Sequence, residues 1–423
     1  MARTDAARLE ACLQECGLKR RYSTADKVFP GIEDYLGFDE TTGELFHFHV
    51  HYSLVVGRKG QKNYRLPLEE EVLNSSIQDA DYPIRIIRPA LEFVVFVLRA
   101  FVKADFNLRS AVRCALGRSV FPRQVLDEFS ALAERAPIDD VVEVCRDKFP
   151  ELESVIPAFA RRRGWENSSN LELRQIKRRI VRALKPYRLF VGDELRAESA
   201  GRDMAAHHSR SWLPTGGLSV AFIGADGSGK SSTVKEVASW LGWKLSVASI
   251  YMGIPKDRKD LVRWKRLSRL ADRLHLQRLR HAFMARHWLA VARSRQHNAR
   301  LGARLKGRGC VALFDRYPLQ VFWMMDAPMD GPRLDDSSPC AQCERDLYES
   351  IEPVDHIFVL LTTEALSVER KPELRRHREA LKQKIDAVDQ FASSGDEIIT
   401  IIDTARGRET CLLEIKRVLW GLL

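Results

Sequence analysis

The stretch that decides the fold is residues 218–232, which read LSVAFIGADGSGKSS. The first six residues are mostly apolar and predict a buried strand, and the residues after Gly229 have the pattern of a helix. Between them stands the Walker A pattern GxxxxGK[ST]. In this context it is typical of a phosphate-binding loop (P-loop), because glycines let backbone N–H groups point at phosphate oxygens and the helix N-terminus adds its positive dipole end. We therefore expect nucleotide binding here, with a glycine-rich turn as the alternative.

The loop also assigns chemistry to individual side chains. Lys230 is expected to reach the β- and γ-phosphates, and the Ser231 hydroxyl is expected to bind Mg²⁺. The expected nucleotide-binding residues are Gly224, Asp226, Gly227, Ser228, Gly229, Lys230, Ser231 and Ser232.

Further apolar runs alternate with helical stretches beyond this loop. The runs are 218–223, 245–251, 310–314, 357–361 and 398–402. Such alternation predicts an α/β fold with a parallel sheet covered by helices. A polar stretch punctuated by proline and glycine precedes it, as expected of a linker. We expect an α+β region at 1–106, a helical segment at 107–194, a linker at 195–216 and a P-loop domain at 217–423.

A second polar motif follows the apolar run 310–314, namely Asp315-Arg316-Tyr317-Pro318. Ligands of open α/β sheets bind at the carboxyl ends of the strands, where this motif falls. Asp315 is suited to hold Mg²⁺, and Arg316 is suited to grip the phosphate of an acceptor. The alternative is a structural ion pair that ends the strand.

FIGADGSGKSS followed by LFDRYP resembles the thymidylate kinase group of P-loop nucleoside monophosphate kinases. Residues 352–355 (EPVD), 362–371 and 401–404 (IIDT) are similar to later segments of that family, so the resemblance covers 218–423. It implies a five-stranded parallel sheet, ATP with Mg²⁺ as donor, and transfer of the γ-phosphoryl group to a phosphate monoester. It also implies that Asp226 faces the acceptor and that an arginine of the lid meets the transferring charge. The candidates for that arginine are Arg370, Arg375, Arg376 and Arg378.

The expected catalytic set is therefore Lys230, Asp315, Arg316 and Arg370, with Ser231 and Asp315 as the Mg²⁺ ligands. Residues 319–334 lack the Ser and Ala-Tyr-Gln run of thymidylate kinases, and no Phe-Pro-Arg segment stands between the P-loop and Asp315. The acceptor is thus left open between a nucleoside monophosphate, a sugar phosphate and a larger polyanion. The N-terminal half resembles a nucleotidyltransferase-like module without its Gly-Ser and Asp-x-Asp signature, which favours a substrate-docking or regulatory role.

Composition and charge narrow the class of protein. The chain has 423 residues, 45% hydrophobic and 30% charged, which excludes a wholly disordered chain and a small disulfide scaffold. Eight scattered cysteines suit reduced thiols, and the N-terminus has no apolar signal segment, so the cytoplasm is the expected compartment. The run 91–102 is too short to cross a bilayer and predicts a buried helix.

The net charge of +11 is concentrated in residues 255–308, which hold seventeen Lys and Arg against three Asp. Apolar residues recur there at helical spacing, including Leu270, Leu274 and Leu279, and predict a basic helical pair with one buried face. Such charge suits nucleic acid, an anionic membrane surface or a phosphate-rich substrate, and we expect it to steer the acceptor. The leading class is an ATP-dependent kinase of a small phosphorylated acceptor, with a homodimer allowed. The alternatives are a P-loop enzyme acting on nucleic acid or another polyanion, and a non-catalytic nucleotide-binding switch.

Overall fold

A computed structural model describes most of the chain. The described residues are 3–23, 31–58, 61–107, 110, 112, 116, 119–162, 169–189, 211–254, 258–319, 332–334, 338–393 and 397–423. They divide into two compact units. The first comprises 1–16, 25–34 and 49–205, and the second comprises 17–24, 35–48 and 206–423. The domain boundaries expected above stay predictions.

The described strands are β1 (Lys19–Arg21), β2 (Ile32–Phe38), β3 (Leu45–His51), β4 (Val55–Arg58), β5 (Gln61–Arg65), β6 (Ile77–Gln78), β7 (Arg85–Ile86), β8 (Ser219–Gly224), β9 (Val247–Tyr251), β10 (Val311–Asp315), β11 (His356–Leu361) and β12 (Ile399–Asp403). The described helices are α1 (Ala6–Glu15), α2 (Glu69–Asn74), α3 (Pro89–Lys103), α4 (Arg123–Arg135), α5 (Ile138–Lys148), α6 (Ile156–Arg162), α7 (Asn170–Ala183), α8 (Lys230–Gly242), α9 (Lys259–Arg273), α10 (Gln277–Lys306), α11 (Pro339–Glu349), α12 (Glu364–Arg370), α13 (Arg378–Ala392) and α14 (Arg408–Leu422).

The first unit is built around one apolar helix. Nine of the fifteen residues of α3 are buried, and they pack with α4, α5 and α7. Phe101 is fully buried and its ring lies 5.5 Å from those of Phe121 and Phe159. The prediction of a buried helix over 91–102 is thus confirmed. Within the described residues, no helix is both long enough and apolar enough to cross a membrane.

The second unit contains a five-stranded sheet in the order β12-β11-β8-β10-β9. Every pairing in it is parallel. Its three central strands are almost entirely buried. Such strands are covered by helices on both faces, which is why they read as continuous apolar runs rather than as alternating ones. The predicted α/β fold with a five-stranded parallel sheet flanked by helices is confirmed.

Alternate residues of the central strands pack against the helices on opposite faces of the sheet, because successive side chains of a strand point to opposite faces. On one face Val220 and Phe222 pack with α8 and α14, and on the other Ala221 and Ile223 pack with α10 and α13. The first of these layers also receives Leu36 and Leu45, from β2 and β3. Lys19 adds a hydrogen bond of 2.6 Å from its Nζ to the carbonyl oxygen of Trp420 on α14.

The basic segment forms two long helices, α9 and α10, as predicted. The expected buried face is only partly present, because Leu270, Leu274 and Leu279 are 52%, 58% and 48% exposed. Helical periodicity correctly identified a stripe of apolar residues along the helices, but a stripe is buried only where another element packs against it. At this end of the pair, no element among the described residues buries these leucines.

Candidate functional site

The phosphate-binding loop lies between β8 and α8, and its backbone conformation depends on glycine. Gly227 has φ +88° and Gly229 has φ +95°, values that side-chain-bearing residues rarely adopt. A Cβ on Gly227 would stand 2.8 Å from the Cα of Ser367 in α12, so the loop also passes too close to that helix for any side chain. The residue types of the motif are therefore explained by the fold.

Lys230 opens α8 and curls back over the loop. Its Nζ donates to the carbonyl oxygens of Gly224 and Ala225, at 2.5 and 2.9 Å, and the side chain is buried. Burial, together with the nearby positive charge of Arg316, lowers the pKa of the ammonium to about 7, although Asp226 and Asp315 oppose the shift. A phosphate group at the loop would restore the charged form by supplying negative charge close to the amine.

A hydroxyl and a carboxylate meet beside the loop. β10 pairs in parallel with β8, so Asp315 ends its strand opposite Phe222, at the edge where α8 begins. The Ser231 hydroxyl donates to Oδ2 of Asp315 at 2.5 Å. Among the described residues, Oδ1 of the same carboxylate is buried without a hydrogen-bond partner. Hard oxygen ligands are what Mg²⁺ prefers, so the donor set fits this ion.

Arg316 is held in an unusual backbone conformation at the start of the next turn. Its φ is +75°, and its N–H donates to the carbonyl oxygen of Phe222 at 3.0 Å. Such conformations cost free energy and cluster at functional sites, because the surrounding structure must impose them. The guanidinium lies 3.4 Å from Oδ1 of Asp226 and 6.0 Å from the centre of the Tyr251 ring.

Asp226 gathers several cations around one carboxylate. Its other oxygen, Oδ2, accepts from Nζ of Lys384 in α13 at 2.9 Å. Burial alone would raise the pKa of this carboxyl, but the charges of Lys384, Lys230 and Arg316 outweigh it and hold the pKa at about 2. The carboxylate is therefore ionised at every physiological pH.

Of the four arginines considered for the lid, Arg370 is the one that lines the cavity at the loop. Its guanidinium donates to the carbonyl oxygen of Thr404 at 3.0 Å, to the hydroxyl of the same residue at 3.1 Å, and to the Gly227 carbonyl at 3.4 Å. Arg375 and Arg378 instead line a separate depression, and Arg378 pairs with Glu364 at 3.0 Å. Arg376 is exposed in a short 3₁₀ helix.

Several of these groups line a cavity of about 330 Å³, whereas Asp315 and Lys384 lie outside its lining. Its lining contains the loop from Asp226 onward, including Ser228 and Ser232, and four cations outside the loop: Arg316, Arg370, Lys371 and Arg408. Cys411 and Leu412, in the first turn of α14, and Leu360 form an apolar part of the wall. The lining therefore combines cations and loop groups that can bind a polyanion with an apolar part of the wall.

Sequence reasoning missed Lys371, Lys384 and Arg408. Lys371 directly follows Arg370 in the segment that the sequence marked as a lid, so it could have been included. Lys384 and Arg408 lie on helices that carry several charges each, and no local signal separates them from solvated neighbours. Arg408 also pairs with Glu236 of α8.

No known protein-family model matches this chain, and no curated protein sequence matches it. Among solved structures, a deoxyadenosine kinase from M. mycoides with bound dATP is similar at 14% sequence identity and a TM-score of 0.32. The match covers 48% of this chain and 98% of that protein. The same enzyme with the products dCMP and a flexible dCDP matches at 14% identity and a TM-score of 0.33, over 49% of this chain and all of that one.

Proposed function

We propose that this chain is an ATP-dependent phosphotransferase of thymidylate kinase type, which transfers the γ-phosphoryl group to a nucleoside monophosphate or another small phosphorylated acceptor. One observation carries the proposal. A phosphate-binding loop and the Asp315-Arg316 pair of the neighbouring strand face each other, with the Ser231 hydroxyl 2.5 Å from the carboxylate of Asp315. The guanidinium of Arg316, proposed for the acceptor, also lies 3.4 Å from Asp226 of the loop, which supports a donor site and an acceptor site next to each other.

The loop and Lys230 would bind the donor. The backbone N–H groups and the start of α8 bind the phosphate chain, and the Lys230 ammonium exchanges its carbonyl partners for β- and γ-phosphate oxygens. Cys411 and Leu412 supply an apolar surface of the kind that a nucleobase requires. This cavity fits a nucleoside triphosphate better than it fits inorganic phosphate alone.

Ser231 and Asp315 would hold Mg²⁺ through their oxygens. When bound, the ion neutralises charge on the transferring phosphates. The buried Oδ1 of Asp315, without a partner among the described residues, supports this assignment because a buried carboxylate oxygen left unsatisfied is costly.

Arg316 and Arg370 would act on the acceptor and the transferring group. Arg316 leaves its 3.4 Å contact with Asp226 to bind the acceptor phosphate, and the carboxylate of Asp226 orients the acceptor from the loop side. Arg370 lies at the loop and donates to Thr404 and Gly227, and it would exchange these hydrogen bonds for contacts with the transferring phosphoryl group. Phosphoryl transfer depends chiefly on such positioning and charge neutralisation.

A transfer assay with a panel of acceptors tests the proposal. The full chain is supplied with ATP, Mg²⁺ and, in turn, deoxynucleoside and ribonucleoside monophosphates, unphosphorylated nucleosides, sugar phosphates and oligonucleotides, and phosphorylated product is measured by mass spectrometry. We expect turnover with one phosphorylated small acceptor, its loss in Lys230→Ala, and its retention in Lys235→Ala. Lys235 is the matched control because it lies exposed on the same helix.

Two results would refute the proposal in different ways. ATP hydrolysis that only an oligonucleotide stimulates would assign the chain to enzymes acting on nucleic acid. Tight nucleotide binding with no turnover toward any acceptor would assign it to the nucleotide-binding switches.

A further inference from the structure

The end of the hairpin formed by α9 and α10 is apolar and exposed. The two helices are joined by residues 274–276, where His275 has φ +55°. Four leucines lie in or beside this connection, and their exposed fractions are 52% for Leu270, 58% for Leu274, 46% for Leu276 and 48% for Leu279. Single exposed leucines are ordinary on protein surfaces, but four at one helical end form a patch.

These leucines are not part of the core that holds the hairpin together. The inner part of the hairpin has its own contacts: Nδ1 of His287 lies 3.2 Å from the carbonyl oxygen of Leu261, and Trp264 stacks on Phe283 at 6.2 Å. Ala292 is a residue of α10 that packs in the core of the sheet. Leu279 lies thirteen residues earlier, about 20 Å away along the helix axis.

The patch is bordered by positive charge. Residues 263–286 contain eight Arg and Lys and one acidic residue, Asp272, which pairs with Arg280 at 3.2 Å. The cations on exposed positions nearest the leucines are Arg266, Arg269, Arg273 and Arg278. The occupant of this surface must therefore offer both an apolar phase and a high density of negative charge.

We propose that the end of the α9–α10 hairpin docks on an anionic lipid surface. The four leucines enter the boundary between headgroups and acyl chains, while the arginines keep their guanidinium groups on lipid phosphates and lay their aliphatic stems along the interface. The inference is independent of the proposed phosphotransferase activity. Docking of the hairpin would hold the second unit at a membrane surface.

Charge and chemistry disfavour the other occupants. A second copy of the chain would bring the same cations against each other, which repels. Single-stranded nucleic acid binds on aromatic platforms. The Trp264 ring is already covered by Phe283 and by the guanidinium groups of Arg263 and Arg286, at 5.6 and 5.1 Å.

Flotation of the full chain with lipid vesicles tests the proposal. Vesicles of phosphatidylcholine with one quarter phosphatidylglycerol are compared with vesicles of phosphatidylcholine alone, at physiological salt. We expect at least tenfold stronger partition into the anionic vesicles, and about a tenfold loss in the double variant Leu274→Gln, Leu276→Gln, since that change removes apolar surface available for insertion. The variant Arg273→Glu, Arg278→Glu should lose the preference for anionic lipid.

Leu171→Gln is the matched control, because Leu171 is 64% exposed on α7 of the first unit. Its partition and the thermal unfolding temperature of all variants should stay at the values of the unsubstituted chain. Three outcomes would overturn the proposal: equal partition of the leucine variant and the unsubstituted chain; a short DNA duplex that binds more tightly than the vesicles and is indifferent to the leucines; or a dimer in sedimentation that the leucine variant dissolves.

Discussion

Raising the pH is expected to weaken nucleotide binding through one buried amine. The pKa of Lys230 is lowered to about 7 in the nucleotide-free protein by burial and by the charge of Arg316. Phosphates at the loop favour the ammonium, so its pKa rises in the complex and binding takes up a proton wherever the free amine is neutral. By linkage, the dissociation constant then increases with pH above about 7, approaching tenfold per pH unit.

The expected magnitude follows from that pKa. Between pH 7.5 and 9.5 the charged fraction of the free lysine falls roughly eightyfold, and the dissociation constant should rise by about the same factor. Asp226 is ionised throughout, with a pKa of about 2, and burial raises the pKa of the Cys411 thiol above its ordinary value. A terminal phosphate has a second pKa of about 6, so it is almost entirely ionised over this range.

Isothermal titration calorimetry with a non-hydrolysable ATP analogue measures both the dissociation constant and the number of protons taken up on binding. At pH 8, the binding enthalpy in buffers of different ionisation enthalpy should report uptake of about 0.9 proton. Lys230→Arg should flatten the pH dependence, because a guanidinium stays charged throughout, whereas Ser232→Ala should keep it. A dissociation constant that is independent of pH, with no proton uptake in a folded protein, would refute the account of Lys230.

The remaining predictions concern the acceptor, the metal and the loop. Arg316→Ala should raise the acceptor KM about 10- to 100-fold and change the ATP KM little, because a charged hydrogen-bond pair is lost on one substrate only; equal loss for both substrates would make the arginine structural. Asp315→Asn should abolish the strengthening of nucleotide binding by Mg²⁺, measured by calorimetry with and without the ion, and an unchanged Mg²⁺ effect would remove Asp315 from the site. Gly227→Ala should lower the free energy of unfolding by about 1–3 kcal/mol because of its positive φ and the 2.8 Å approach to Ser367. Its control, Gly242→Ala at the end of α8, meets open space and should be neutral or stabilising by up to about 1 kcal/mol. Urea denaturation compares the two.

Much of the second unit was predictable because its three central strands are buried on both faces. Apolar runs at 310–314, 357–361 and 398–402 agree within one residue with β10, β11 and β12. The order of the strands could not be read from the local sequence, because β8 lies between β10 and β11 through tertiary packing alone. The participation of Leu36 and Leu45 in the same core was equally invisible, as more than 150 residues separate them from β8.

The site divides in the same way. Lys230, Ser231 and Asp315 were predictable because a loop motif and a strand end fix their backbone positions. Their roles remain proposals. Lys384 reaches Asp226 across the fold from α13, and only tertiary structure brings that pair together. The prediction that the leucines of α9 and α10 form a buried face was only partly correct. Periodicity shows that apolar residues share one face of a helix, but it does not show whether another element covers that face.

The carboxylate of Asp226 gives the site a selectivity among anions. It lies 2.9 Å from Lys384 and 3.4 Å from Arg316, and it keeps its negative charge in neutral solution. A monovalent anion such as chloride would compete for these cations with the carboxylate of Asp226, which carries the same charge. Its binding free energy at the site should therefore be small. A ligand of higher valence, such as a phosphate ester or a triphosphate chain, offers the cations more than the carboxylate does. The site should therefore bind phosphates in preference to monovalent anions, even when the salt concentration is high.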